Sequence, residues 1–132
     1  MQTRTGLGAI RNLDYTILLC DNLDAMKAFY VERLGFEIHH EIPGFWVALQ
    51  IGASLLTLRP RGRPYDGPSP PISSASVQLA FRVPPSDVNL AAATLQQHGI
   101  EILEPPTDQP WGHRTLFFAD PENNVIEIYA DI

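Results

Sequence analysis

Glu127 is a carboxylate set between Ile126 and Ile128 near the end of a β-rich run. Side chains alternate across a strand, so it faces away from both isoleucines. On a solvent face it is an ordinary glutamate. On an enclosed face its charge needs a raised pKa or a cationic partner, and Arg114 on the neighbouring strand is the candidate. The histidines offer less. His39 and His40 are adjacent in a strand and face opposite ways, which stops both from chelating one ion. His98 falls at a helix C-terminus, where a cationic imidazole suits the dipole. His113 follows Trp111-Gly112 at the start of a strand; it is the histidine with a place in a pocket, and an exposed loop end is its rival reading. Cys20 has no base beside it in a nucleophile motif and reads as a packed or semi-exposed thiol.

Trp46 opens a strand and Trp111 sits in PTDQPWG. Each offers a large flat surface on which a planar or cationic ligand can stack. Packing in a core or a dimer interface is the equal alternative. Arg59, Arg61 and Arg63 cluster in PRGRP. They suggest an anion patch, but arginines in a Pro/Gly-rich connection read better as a solvated loop.

The elements that position these groups form a pattern written twice. A β-rich run, Leu13–Leu19, is followed by Asn22 or Asp24 as a helix cap, and by Met26, Phe29, Tyr30 and Leu34 at helical spacing. Gly35 ends the helix. FEIHHEI, FWVALQI and SLLTL follow as strands. After RPRGRPYDGPSPP, which proline keeps out of any strand or helix interior, the order repeats. SVQLAFRV is a strand, and Ser86 or Asp87 caps a helix with Val88, Ala91, Ala92 and Leu95 on one face. Gly99 ends it, and IEIL, HRTLFFA and NVIEIYA are strands. The run Gly35-Phe36-Glu37-Ile38 recurs as Gly99-Ile100-Glu101-Ile102, 64 residues later. Leu55 to Leu58 correspond to Val125 to Ile128 at an offset of 70. Landmarks that keep step this well point to a duplicated unit. We expect one domain over residues 1–132, with a first module at about 10–60, a linker at 60–74 and a second module at about 75–132.

Composition narrows the function. A length of 132 residues with 45% hydrophobic side chains suffices for one buried core. The net charge of −6 repels nucleic-acid phosphates, so we expect no nucleic-acid partner. No apolar run reaches the ~18 residues of a membrane span, and MQTRTGLGAIRN lacks the apolar stretch of an export signal. With a single cysteine as well, a cytoplasmic protein is expected.

The stretch DYTILLCDNLDAMKAFYVERLGFEI resembles the entry to a module of the vicinal-oxygen-chelate superfamily, which includes glyoxalases, bleomycin resistance proteins and extradiol dioxygenases. VQLAFRVPPSDVNLAAATLQQHGIEIL is similar to the entry of a second module, and PWGHRTLFFADPENNVIEIY to its exit. The resemblance spans about residues 10 to 131 and implies an α+β fold of two βαβββ modules, whose curved mixed sheets surround a cup-shaped cavity. The family has glycine where this chain has Asn123 in the turn after Asp120-Pro121; asparagine tolerates the left-handed conformation, so the turn should form.

The resemblance also implies a site. Family enzymes hold a divalent metal on the first and last strands of each module, positions that fall here on Tyr15, Thr57, Gln78 and Glu127. Glu127 is a good ligand and Gln78 a possible one through its carbonyl oxygen, whereas Thr57 is neutral and Tyr15 must lose a proton to bind strongly. No cofactor is therefore the preferred expectation; a divalent metal, if bound, rests on Gln78 and Glu127. Glu127 is then an orphaned ligand, a general base or the anchor for a basic group. The expected ligand site comprises Tyr15, Trp46, Thr57, Gln78, Trp111, His113 and Arg114. Two main readings follow, beside a third in which the chain is a fold relative serving as a regulatory or accessory subunit. In one, the chain is a homodimer that sequesters a small drug-like or metabolite ligand without metal, as the superfamily's resistance proteins do. In the other, it is a metal-dependent lyase, isomerase or dioxygenase.

Overall fold

The structure, a computed structural model, describes residues 4–132. The first three residues of MQTRTGLGAIRN, the stretch read for an export signal, lie outside the described residues. A short 3₁₀ turn at Gly6–Ala9 precedes two copies of a strand–helix–three-strand unit. In the first, β1 (Tyr15–Cys20) leads to α1 (Leu23–Lys27) and a π-helix (Ala28–Arg33), then to β2 (Glu37–Ile42), β3 (Trp46–Ile51) and β4 (Ser54–Pro60). In the second, β5 (Gln78–Arg82) leads to α2 (Asp87–Gln97), β6 (Ile102–Asp108), β7 (His113–Ala119) and β8 (Val125–Asp131). Each unit forms a mixed four-stranded sheet, ordered β1-β4-β3-β2 and β5-β8-β7-β6, with its first and last strands parallel and the others antiparallel. The fold is α+β with two βαβββ modules, as expected.

Period-two alternation places one face of each sheet against the helices. Leu18 and Cys20 of β1, Leu56 and Leu58 of β4, and Leu116, Phe118 and Ile126 of the second sheet are all buried there. They join one core that runs through both modules. Phe29 packs against Phe118 with ring centres 6.3 Å apart, and Phe36 meets Phe81 edge-on at 5.6 Å. Burying a Phe or Leu side chain contributes about 1.5–3 kcal/mol, so these ring contacts help to hold the two modules together.

Asn22 is the cap of the first helix: its side chain accepts from the Ala25 N–H at 3.0 Å. That helix does not stay α. It widens at Ala28, and Leu34 N–H donates five residues back to Phe29 O at 3.0 Å. A wider turn reduces the angle between consecutive side chains, which lets Phe29 and Tyr30 both reach the core. Three other features depart from expectation. The strand expected at IEIL runs on to Asp108 through Pro105 and Pro106; as an edge strand paired only with β7, it tolerates residues without an N–H. The strand expected to end at Leu58 continues to Pro60. The arginine connection is not a freely solvated loop either. Arg59 is buried and forks onto Asp66, with nitrogen–oxygen distances of 2.9 and 2.7 Å. Asp66 also accepts from the Gly62 and Arg63 N–H groups. A buried bidentate pair of this kind organises the connection around one carboxylate.

The Asp120-Pro121 turn forms with Asn123 in the left-handed conformation at φ 65°. Glu122 in this turn reaches back to the first module. Its carboxylate accepts from the Asp21 N–H at 2.8 Å and the Asn22 N–H at 3.0 Å. Among the described residues, no helix is long and apolar enough to cross a membrane.

Candidate functional site

The face of each sheet turned away from the helices carries the residues of interest. In the first sheet, register aligns Tyr15 with Leu55, Ile17 with Thr57, and Thr57 with Ala48. Trp46, two residues from Ala48, shares that face. In the second, register aligns Gln78 with Val125, Ala80 with Glu127, and Glu127 with Phe117. One cavity is lined by Ile17 to Leu19 together with Ser76 and Val77, and another by Thr16 together with Leu79 to Phe81. Strands β1 and β5 therefore run past each other in opposite directions, and the two helix-free faces adjoin along that seam.

The two faces differ in chemistry. On the first, Tyr15 is 42% exposed and meets Trp46 edge to face, ring centres 5.8 Å apart. Thr57 is 0% exposed between the aliphatic neighbours Ile17 and Ala48, and its Oγ1 has no hydrogen-bond partner among the described residues. Around Tyr15 and Trp46 this wall is aromatic and apolar, while His40, aligned with Ala48, and Gln50, aligned with Leu55, add polar groups to the same face. On the second, Gln78 Nε2 donates to Glu127 Oε1 at 3.1 Å. His113 stacks on Tyr129 with ring centres 4.7 Å apart, and its Nε2 lies 3.2 Å from Asp131. Arg82 lies over the Tyr129 ring at 5.4 Å, its Nε donates to the Tyr129 hydroxyl at 3.2 Å, and its terminal nitrogen is 3.4 Å from Asp131. The Tyr129 hydroxyl and the Asp131 charge together hold the guanidinium above its ordinary pKa. This wall is polar and cross-linked.

The structure thus brings together Gln78 with Glu127, and Tyr15 with Trp46. No hydrogen bond or ring contact among the described residues joins the two pairs. Arg114 is a correction. It aligns with Ala130, which puts it on the opposite face from Glu127. There it pairs with Asp108, Nε to Oδ1, at 2.7 Å, and that contact draws the Asp108 carboxyl below its ordinary range. Glu127 instead has an amide donor, Gln78. Trp111 lies in the turn between β6 and β7 and is 63% exposed. His40 aligns with Ala48, and a register shift beside it leaves His39 out of the ladder. Sequence reasoning missed Arg82, Tyr129 and Asp131. Counting on by twos from Gln78 and Glu127 reaches all three, so strand alternation carried the signal.

The four family metal positions supply a phenol, a hydroxyl, an amide and a single carboxylate. Among the described residues, no three His, Cys, Asp or Glu side chains come together. Thr57 adds no charge where it is most enclosed, and Gln78 is engaged with the one anionic donor. This donor set does not fit a divalent ion, which takes three or four good ligands from protein.

Comparison with known proteins supplies a context for this geometry. The family model described as the Glyoxalase/Bleomycin resistance protein/Dioxygenase superfamily matches residues 12–128. Glyoxalase domain-containing protein RDO1 of Mycosarcoma maydis is 28% identical over 123 residues, covering 91% of this chain and 68% of that protein. Uncharacterized protein YwkD of Bacillus subtilis is 27% identical over 126 residues, covering 91% of this chain and 97% of that protein. Among solved structures, a glyoxalase/bleomycin resistance protein/dioxygenase from Nocardioides superposes with a TM-score of 0.81 at 23% identity, over 94% of this chain and 85% of that one. A lactoylglutathione lyase from Agrobacterium tumefaciens superposes with a TM-score of 0.72 at 22% identity, over 92% of this chain and 95% of that one. At these identities the structural matches establish the fold alone.

Proposed function

Because this chain belongs to the Glyoxalase/Bleomycin resistance protein/Dioxygenase superfamily, we propose that it is a small-molecule-binding protein that holds a drug-like or metabolite ligand on its helix-free faces without a catalytic metal. One observation carries the reading. The positions where the family keeps metal ligands hold, on one side, Tyr15, which packs edge-on against Trp46, and the buried hydroxyl of Thr57, and on the other an amide–carboxylate pair, Gln78 and Glu127. Aromatic rings favour a planar or cationic body. The free acceptor capacity of Glu127 suits a basic or hydrogen-bond-donating group. A net charge of −6 draws the same class of ligand.

The reading also takes the protein to be a cytoplasmic homodimer. The exposed Tyr15, Ile17, Ile42 and Phe45 around the first module's wall support a partner of the same kind, since C₂ dimers are the commonest oligomers. A second reading, a metal-dependent lyase, isomerase or dioxygenase, is favoured by one contact: Gln78 and Glu127, the two usable ligands, lie side by side.

Elemental analysis of protein purified without chelator separates the two, followed by thermal scans with Ni²⁺, Zn²⁺, Mn²⁺ and Fe²⁺ and with bleomycin as the aromatic cation. The binding reading expects no stoichiometric metal and no metal-dependent shift. A ligand at a hundred times its Kd adds about 2.7 kcal/mol of apparent stability and should quench Trp46 emission. Stoichiometric metal that is lost in Glu127→Ala overturns it.

A further inference from the structure

Glu127 shares its rung of the second sheet with an aromatic ring and a second carboxylate. Register aligns Ala80 of β5 with Glu127, Glu127 with Phe117 of β7, and Phe117 with Glu104 of β6. Directly aligned residues of neighbouring strands share a face. Glu127 and Glu104 therefore stand on either side of Phe117 on the helix-free side. Two strand spacings set their backbones roughly 10 Å apart. Phe117 and Glu127 are partly buried and Glu104 is exposed, so all three are open to an incoming molecule. Phe117 meets no other aromatic ring among the described residues.

The two carboxylates are held alike. Gln78 Nε2 donates to Glu127 Oε1 at 3.1 Å, and Gln109 Nε2 donates to Glu104 Oε1 at 3.2 Å and to Thr115 Oγ1 at 3.0 Å. An amide fixes the direction of a carboxylate without neutralising it. Elsewhere the chain does neutralise its acids: Asp66 pairs with Arg59, Asp108 with Arg114 and Glu41 with Lys27. Neither Glu104 nor Glu127 forms an ion pair among the described residues. The basic side chains on this wall, Arg82 and His113, lie against Asp131 instead, at 3.4 and 3.2 Å. The wall thus sets three carboxylates against one guanidinium. The face of an aromatic ring also attracts positive charge, so ring and carboxylates act in the same direction.

We propose that Phe117 and Glu104 complete the ligand site at Glu127, and that the ligand carries an alkylated ammonium group, which lies over the Phe117 ring between the two carboxylates. This rests on the reading of the helix-free faces as a binding surface and narrows its ligand to an organic cation. Alkyl groups on the nitrogen pack against the ring, while the charge, spread over them, is attracted from both sides without needing a donor hydrogen. A neutral molecule of the same shape keeps the ring contact and loses the attraction. An anion is repelled by both glutamates.

The test titrates the ¹³C-labelled full chain with choline, and with 3,3-dimethyl-1-butanol as its uncharged counterpart, at low ionic strength because salt screens exposed charges. Choline should shift the carboxyl carbons of Glu104 and Glu127, and its methyl groups should give nuclear Overhauser contacts to the Phe117 ring. Glu104→Gln and Phe117→Leu should each weaken choline about threefold or more and leave the alcohol within about twofold. If either variant does not fold, the contacts to Phe117 in the unaltered chain decide. Equal affinity for choline and the alcohol overturns the proposal, as do choline contacts that miss Phe117. If Glu127→Gln weakens choline and Glu104→Gln does not, the proposal falls while the binding reading stands. Stoichiometric metal in the purified protein removes the binding reading itself, whatever choline does.

Discussion

Tyr30, on the first module's π-helix, donates its hydroxyl hydrogen to Asp120 Oδ2 of the second module at 2.7 Å, and both side chains are buried. Asp120 also accepts from the Glu122 and Asn124 N–H groups and from Asn124 Nδ2. Burial and the neighbouring Asp120 charge push the Tyr30 phenol far above its ordinary pKa, so it remains a donor at every accessible pH. Tyr30→Phe removes one of four donors to a buried carboxylate and keeps the ring. Urea unfolding should show a loss of about 1.5–3 kcal/mol with an unchanged m-value. Asp120→Ala should cost more, because it strands all four donors at once.

The Arg59–Asp66 pair makes a pH prediction. The guanidinium and two backbone N–H groups hold the Asp66 carboxyl well below the ordinary value of 3.8. A carboxyl with a depressed folded-state pKa contributes stability above its unfolded value and loses it as pH falls toward the folded one. Melting temperature measured from pH 7 downward should therefore show a contribution that declines below about pH 4. Asp66→Asn should be destabilised at pH 7, and the gap to the unaltered chain should narrow steadily on acidification. A gap that stays constant would mean the ion pair adds nothing to stability.

Thr57 and Tyr15 allow the family's metal chemistry to be tested on this chain. Thr57→Val removes a buried hydroxyl that has no partner, so thermal unfolding should show an effect between neutral and about 1 kcal/mol stabilising. The double substitution Tyr15→His with Thr57→Glu rebuilds a set of one imidazole, one amide and two carboxylates. It should melt lower than the unaltered chain when free of metal, because it buries a carboxylate where exposure is 0%. Zn²⁺ or Ni²⁺ should restore that loss. If the doubly substituted protein ignores both ions, the four positions do not converge.

Cys20 should be inert. Burial pushes its thiol up to about 12, with the Glu122 and Asp120 charges adding to the rise. At pH 8 roughly one molecule in ten thousand carries the thiolate. Native protein should not react with Ellman's reagent over hours, whereas protein in urea should react at once.

How much of this was legible in the sequence follows from the range of the interactions involved. Tyr15, Gln78 and Glu127 were placed by the family resemblance and Thr57 by the internal repeat; strand alternation, which acts within a few residues, then fixed which neighbours share their faces. The caps at Gly35 and Gly99 and the left-handed Asn123 were readable for the same reason. The Gln78–Glu127 bond joins residues 49 apart, and the Tyr30–Asp120 bond residues 90 apart, so no local pattern announces either. Arg114 was set beside Glu127 because their strands are neighbours, but a register one residue different turns it to the other face. The connection read as loose because composition shows its prolines and glycines and conceals that Asp66 collects four donors.

The ring of Phe29 seated on Phe118, together with the Glu122 carboxylate gripping the start of the first helix, has a consequence for how the chain can be divided. Ancestry by duplication suggests two autonomous miniature proteins, yet each half leaves its oily surface open unless the other is present. Peptides cut between Pro71 and Ser76 should each be unstructured in isolation and should reconstitute on mixing, so the smallest heritable unit of this architecture is the pair.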